Sequence, residues 1–341
     1  MVFVLLTLDK HKEGIWVTKL VHALHDVCPQ KQVRVVPIET FFDAAPSVDN
    51  IFPHMTTGII NRVSDAADPV AFKLAVTLLK AARHCGIPIF NGPEAYTLCA
   101  NKFCHHVLFQ RAGVATPPSR IITANSDPGN LLDCITTTNE VEDLRYPLLL
   151  KPNAGGFGAG IHRLDDESSS DALMTRDKLA TPDGIRIVQN YIRPSDGYIY
   201  RVWFLNGRVQ CAVKRSVQED NPNDLTTGCA GGSVCQRRPT PTHRSPSFTA
   251  CSVPPNIHKD VTQIIAQLAD AHAGSIEYLY DDSERPLYFD LNLLSTLPLV
   301  STVELAGQIW GSEYDPWQEL ACTIHDICQS SSEKNHFSTS P

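Results

Sequence analysis

"LLLKPNAGGFGAGIHRL", residues 148–164, closes an apolar run on Lys151 and then places four glycines among the six residues Gly155 to Gly160. Two short β-branched or leucine-rich runs joined by glycines read most simply as a β-hairpin. The lysine raises a second reading. A lysine at the end of a buried strand needs an anionic partner, and a loop almost without side chains lets backbone amides approach a phosphate closely. The loop is no Walker motif, because no Gly-Lys-Ser/Thr follows it. It is no dinucleotide fingerprint either, because a strand rather than a helix comes next.

The wider sequence bounds the choice. With 341 residues the chain exceeds one ordinary core, so two or three lobes are expected. Its 29 basic and 37 acidic residues give a formal charge of −8, which argues against nucleic acid or an anionic membrane as partner. The eleven cysteines contain no CxxC pair and no zinc-finger spacing, which fits free thiols in a reducing, cytoplasmic compartment. "MVFVLLTLDK" lacks a basic leader and runs into Asp9, so it reads as a buried strand rather than a signal peptide. No apolar stretch reaches the ~18 residues of a membrane helix.

Strands and helices alternate at the start: strand 2–8, helix 14–28, strands 32–37 and 57–61, helix 69–85, then the short run "IPIF" at 87–90. That order predicts a parallel α/β lobe over residues 1–95. A helix over 96–112 carries "NKFCHHVLFQRAG", and strands around the glycine loop complete a small lobe to residue 192. Asn206-Gly207 between "YIYRVWFL" and "RVQCAVKRS" marks a hairpin. An amphipathic helix over "HKDVTQIIAQLADAH" and a strand pair over "GSIEYLYDDSERPLYFDLNLL" fill a third lobe over 193–325. Between the hairpin and that helix, 218–255 reads as a long loop, and 326–341 reads as a flexible tail.

In "YFDLN", Asp290 and Asn292 share one face of a strand, with Phe289 and Leu291 on the other. Glu277 in "SIEYL" has the same setting on the preceding strand. Facing one another, the three offer hard oxygens that suit Mg²⁺. Other residues read as structural. His105 and His106 are neighbours on a helix and cannot face one metal together, so packing accounts for them. Trp203 and Phe204 read as hairpin core. Cys229 and Cys235, near His243, read as free thiols of the loop.

The order of these pieces is more specific than any of them. A helical "NK" at Lys102, strand-ending "LLLKP" at Lys151, the glycine loop, "VQNYI", a basic hairpin and then "IEY" and "FDLN" together resemble the ATP-grasp superfamily. The stretch from Ile59 through "NGPEAYTLCANKF" is similar to the branch that includes the ribosomal S6 glutamate ligase. The resemblance spans Ile59 to Leu297. It implies an ATP-grasp fold behind an N-terminal parallel α/β lobe. It also implies roles for individual residues. Lys102 and Lys151 would meet the ATP phosphates under the loop of Gly155, Gly156, Phe157, Gly158, Ala159 and Gly160. The hinge Gln189, Asn190, Tyr191 and Ile192 would meet adenine, and Asp196 would be the acid nearest the ribose. Arg201 with Lys214 or Arg215 would neutralise the transferred phosphoryl group, and Glu277, Asp290 and Asn292 would hold Mg²⁺, with Mn²⁺ as the alternative ion. Three features depart from the family pattern: Asp290 stands where Glu is usual, Glu277 where Asp is frequent, and "LLSTLP" where a small "SPG" turn is common.

The reaction so implied is activation of a carboxylate as an acyl phosphate, followed by capture by an amine, on small-molecule or peptide substrates. A homo-oligomer is compatible with it. A small-molecule kinase on the same fold and a nucleotide-binding protein without turnover are the alternatives. They would differ from a ligase in needing a hydroxyl acceptor, or in releasing no ADP.

Overall fold

The computed structural model describes residues 1–43, 52, 55–123, 144–156, 158–166, 181, 183–217, 248–295 and 297–337. Phe157, most of the 218–255 stretch with Cys229, Cys235 and His243, and residues 338–341 lie outside them.

The first sheet is parallel, with strand order β2 (Gln32–Pro37), β1 (Val2–Thr7), β3 (Thr56–Asn61) and β4 (Ile89–Phe90). A parallel sheet must be covered on both faces, which is why β1 is apolar at every position up to Thr7. Val4 and Leu6 pack on helix α2 (Pro69–His84), whose buried stripe includes Ala71, Ala75 and Leu79. Phe3 and Leu5 face α1 (Ile15–Val27) and α6 (Pro316–Phe337). Asp68 starts α2 by accepting from the amides of Val70 and Ala71, both at 2.9 Å.

The last helix corrects an expectation. Residues 326–337 are helical rather than a loose tail, and Cys328 is buried against β3. Gly58 makes room for it: a Cβ there would lie 2.3 Å from Cys328 Sγ. The chain thus returns at its end to complete the first lobe.

The expected single helix over 96–112 is two helices, α3 (Pro93–Cys99) and α4 (Lys102–Arg111). Asn101 breaks the run. Its backbone is extended and its side chain accepts from Cys104 N at 3.0 Å, while Asn153, from the end of a distant strand, takes Lys102 N and Phe103 N, each at 3.1 Å. The cap therefore fastens the start of α4 to the chain two residues beyond Lys151.

The small lobe is an antiparallel sheet of order β5 (Ser119–Thr123), β8 (Ile185–Asn190), β6 (Leu148–Pro152), β7 (His162–Leu164). Leu148 pairs with Leu164 and Leu150 with His162, so the glycine loop is indeed the connection of a hairpin. Alternation then explains "LLLK". Leu148 and Leu150 point into the lobe's core with Val188, and Leu149 and Lys151 point the other way.

The third sheet has the order β11 (Thr249–Cys251), β10 (Arg208–Ser216), β9 (Tyr198–Leu205), β12 (Ala273–Tyr280), β13 (Pro286–Asn292), all antiparallel. Asn206 and Gly207, at φ 46° and 74°, make the tight β9–β10 turn. Strand β11 and the start of α5 (Pro255–Ala266) occupy the end of the stretch expected to be loop. On one face Val202, Phe204, Ile276 and Tyr278 pack on α5; on the other, Trp203, Leu205 and Val213 join the core shared with α1 and α6.

Candidate active site

The open end of that second face meets the small lobe. Between them lies a cleft of about 390 Å³, counted to its open mouth, lined by Leu149 and Lys151 of β6, Gln189 to Ile192 at and just past the end of β8, Ile199 of β9, Leu279 of β12 and Phe289 of β13. Its walls are apolar and its inner end is cationic, a combination suited to a flat base with a charged tail.

Lys151 is buried at that inner end, donating to Gln189 Oε1 and lying 5.6 Å from the centre of the Phe289 ring. Gln189 is itself held, its Nε2 donating to Ser119 Oγ at 2.8 Å. Burial pushes the Lys151 ammonium down to about 8, against the pull of Asp290 and Glu277 and with the push of Lys102. Two lysines and two carboxylates thus share one electrostatic neighbourhood. Two amides of the stretch expected to meet adenine are engaged: Asn190 N donates to Pro118 O and Tyr191 N to Pro147 O, both at 3.0 Å.

Lys102, at the first turn of α4, donates to Gly155 O. Gly155 N donates to Asp65 Oδ2 at 2.7 Å. Both backbone groups of this glycine are therefore pinned, one by the expected lysine and one by an acid from the first lobe. Gly155 sits at φ 103°, which only glycine adopts readily, and a Cβ on Gly156 would come within 3.1 Å of Ala66. Asp65 was not identifiable from sequence, since only the docking of the two lobes brings it to the loop. Asp65→Ala is expected to speed amide exchange over 155–160 by roughly five- to tenfold, the effect of losing about 1 kcal/mol of hydrogen bonding. Unchanged exchange would mean that Asp65 does not restrain the loop. Arg186 Nη1 holds the loop's other end through Gly160 O at 3.1 Å.

Across β9, β12 and β13, Arg201, Glu277 and Asp290 stand in register as direct partners and share one face. Arg201 donates to Glu277 Oε1, from Nε at 2.7 Å and again from its terminal nitrogen, and the pair is buried. Asp290 lies 3.3 Å from His105 Nδ1. Burial works against its carboxylate, but His105, Lys102 and Lys151 outweigh that and hold it below the ordinary carboxylate range. His105, buried in α4, is thus in contact with the site as well as part of the packing; its Nε2 is 2.9 Å from Cys99 O.

Asn292 follows on the same strand, its Oδ1 accepting from Leu294 N at 2.8 Å. Among the described residues no three His, Cys, Asp or Glu side chains converge as a metal cluster. Two opposed carboxylates with one amide oxygen still fit Mg²⁺, which commonly takes one or two protein carboxylates and completes its shell with phosphate and water. Both hydrogen bonds of Glu277 fall on Oε1, and the Asp290 side chain is 30% exposed.

The hairpin cations separate by strand parity. Arg215 pairs with Ile199 and shares the face of Arg201; Lys214 pairs with Tyr200 on the opposite face and lies 4.3 Å from the Tyr198 ring. Register thus puts Arg201 and Arg215, and not Lys214, on the sheet face of Ile199, although none of the three is itself among the cleft-lining residues. Asp196 is also turned to local use: it accepts from Tyr198 N at 3.0 Å and from Tyr200 Oη at 2.6 Å, and it is not among the cleft-lining residues. Phe157 lies outside the described residues.

Residues 99–237 match the family model of the RimK-like ATP-grasp domain. Solved structures similar over nearly the whole chain include the D-cycloserine synthetase DcsG, at 12% identity, 96% of this chain, 100% of that one and a TM-score of 0.68. The ATP-grasp ligase PsnB complexed with a phosphomimetic variant of its minimal precursor, Mg and ADP follows at 13%, 96%, 98% and 0.65. The D-alanine–D-alanine ligase of Bacillus anthracis complexed with ATP gives 13%, 98%, 99% and 0.63. At such identities these neighbours speak for the fold, and the family model speaks for its central part. Residues 99–237 thus match the RimK-like ATP-grasp domain, and the chain as a whole shares the fold of these ATP-grasp ligases.

Proposed function

We propose that the chain is an ATP-dependent ligase that joins a carboxylate to an amine and releases ADP and phosphate. The observation that carries this reading is the convergence of Lys102, Lys151 and the glycine loop on the opposed carboxylates of Glu277 and Asp290, beside an apolar cleft. The fold is shared with proteins described as a D-cycloserine synthetase, an ATP-grasp ligase and a D-alanine–D-alanine ligase.

In this reading adenine enters between Leu149, Ile199, Leu279 and Phe289, at the hinge Gln189 to Ile192, and the phosphates run inward to Lys151 and Lys102. Glu277, Asp290 and Asn292 would hold Mg²⁺, which when bound offsets negative charge on the phosphates. A substrate carboxylate oxygen attacks the γ-phosphorus as the bond to the β-phosphate oxygen breaks and ADP departs. Arg201 and Arg215 face the charge that spreads over the transferring group. The amine nitrogen then adds to the acyl carbon, the carbon–oxygen bond to phosphate breaks, and the amine's proton leaves with the products. The glycine loop, pinned at Gly155 and Gly160, keeps water from the acyl phosphate.

The protein's setting follows the same reading. No helix among the described residues is long and apolar enough to cross a membrane, and the cysteines described are all free, as suits a cytoplasmic enzyme. The test is ADP release by purified protein with ATP and Mg²⁺ against pooled carboxylates, each with and without pooled amines. ADP that requires both a carboxylate and an amine is the expected result. ADP formed with a hydroxyl acceptor alone would make the chain a kinase, and nucleotide binding with no acceptor-dependent ADP would make it a binding protein.

A further inference from the structure

The carboxyl edge of the first sheet carries a group of polar atoms that the nucleotide reading leaves unused. Arg62 follows β3, its amide donating to Leu6 O at 2.8 Å, so Arg62 and Thr7 lie side by side just past the paired register Leu6–Asn61. Alternation sends both to the face that packs on α1, the face of Phe3, Leu5 and Ile60. The Arg62 guanidinium stacks 4.4 Å from the Trp16 ring in the first turn of α1, a helix whose N-cap, Gly14, supplies no side chain. It also donates to Leu294 O.

Thr7 is its neighbour across the strands, Trp16 lies against it, Ser295 follows Leu294 and His11 feels its charge; Thr7 Oγ1, His11 Nε2, Trp16 Nε1 and Ser295 Oγ are all buried with no hydrogen-bond partner among the described residues. Thr7 is 0% exposed. Each orphan of this kind costs about 1–3 kcal/mol, so four in one neighbourhood call for an occupant. The groups are of one character. A guanidinium, an indole N–H, two hydroxyls and an imidazole can all donate, and Arg62 acts electrostatically on His11. Glu39, the acid that also acts on His11, is taken up by Asp9 N at 2.9 Å. Burial pushes the Arg62 guanidinium down to about 10, the mark of a cation short of solvent. The carboxyl ends of parallel strands and a helix N-terminus are where open α/β sheets take anions.

We infer that Arg62, Trp16, Thr7, His11 and Ser295 form an anion pocket that takes a carboxylate of the substrate, distinct from the group that reacts. Position supplies the link. Leu294 joins the two sites, its carbonyl accepting from Arg62 and its amide donating to Asn292 Oδ1. A small molecule seated at Arg62 by one carboxylate therefore has its other end near the metal-strand residues. The class of substrate is an amino acid or short dicarboxylate, an assignment that rests on the ligase reading; the carboxylate pocket itself does not.

Acetate and succinate, with acetamide, succinamide and inorganic phosphate as controls at fixed ionic strength, test this by calorimetry and thermal shift on the full chain. Succinate is expected to bind and stabilise the protein, succinamide and phosphate not. Arg62→Met should weaken succinate by about tenfold or more, the loss of a charge-assisted contact, while leaving stabilisation by ATP and Mg²⁺ intact. Because Arg62 also braces Trp16 and Leu294, Thr7→Val is the cleaner variant. It should raise the Tm of the free protein by removing an orphan hydroxyl and yet weaken succinate. A raised Tm with unaltered succinate binding, an equal response to phosphate or succinamide, or no response to either carboxylate would overturn the pocket. Succinate binding without any acceptor-dependent ADP would instead leave the pocket standing and refute the ligase.

Discussion

Asp290→Asn is expected to leave the fold intact and to lower acceptor-dependent ADP release by about a hundred- to a thousandfold, the scale seen when preorganised charge stabilisation is removed. The substitution keeps shape and changes charge. Asp290 is the direct cross-strand partner of Glu277, it is part exposed, and Lys102, Lys151 and His105 lower its pKa together. Without its charge the donor set proposed for Mg²⁺ would fall to one carboxylate and amide oxygens. The loss compounds itself, because Asp290 is the chief group that favours the charged form of Lys151. The melting temperature with ATP alone should change little in the variant, while the added rise on supplying Mg²⁺ should vanish. Full activity, or an undiminished Mg²⁺ response, would remove Asp290 from the metal site.

Lys151→Met should weaken ATP binding by about 1.5–3 kcal/mol, roughly ten- to a hundred-and-fiftyfold, as a charge-assisted phosphate contact disappears. The pH dependence separates this from a packing defect. With the folded-state value near 8 and the ordinary lysine value at 10.5, the unfolded chain holds more protons between those limits. Folding stability from this group therefore rises as pH climbs from about 8 to 10.5, while ATP affinity falls over the same rise as the lysine loses its charge. Denaturant titrations and ATP titrations at pH 7, 8.5 and 10 would show both trends in the parent and neither in the variant. Equal pH profiles would mean that another group titrates there, and equal ATP affinity would return residues 148–164 to a plain hairpin.

What was legible in the sequence is what nearest neighbours along the chain determine. Asn206-Gly207 announced its hairpin because only a tight turn of left-handed residues suits that dipeptide between alternating strands. "FDLN" set Asp290 and Asn292 on one face, because strand side chains alternate with period two whatever surrounds them. The parallel first lobe followed from its alternation of strands and helices.

The tertiary structure decided the rest, wherever the deciding partner lies far off in the chain. Helix α4 begins at Lys102 because Asn101 caps it locally and Asn153, some fifty residues on, takes the amides of Lys102 and Phe103, a partner that no local pattern marks. The helix runs on past residue 326 because the first lobe offers Ile327 and Cys328 a surface, with Gly58 cleared for Cys328. Arg215 rather than Lys214 stands with Arg201, since parity says only that neighbours oppose each other, and the register with Ile199 says which one shares the sheet face of Arg201. Asp65 at the glycine loop, and Arg62 among orphaned donors, exist as features only once separate lobes and strands are docked. Local chemistry sets the shape and facing of each element, but a charge acquires its partner, and so its role, only through contacts that folding creates.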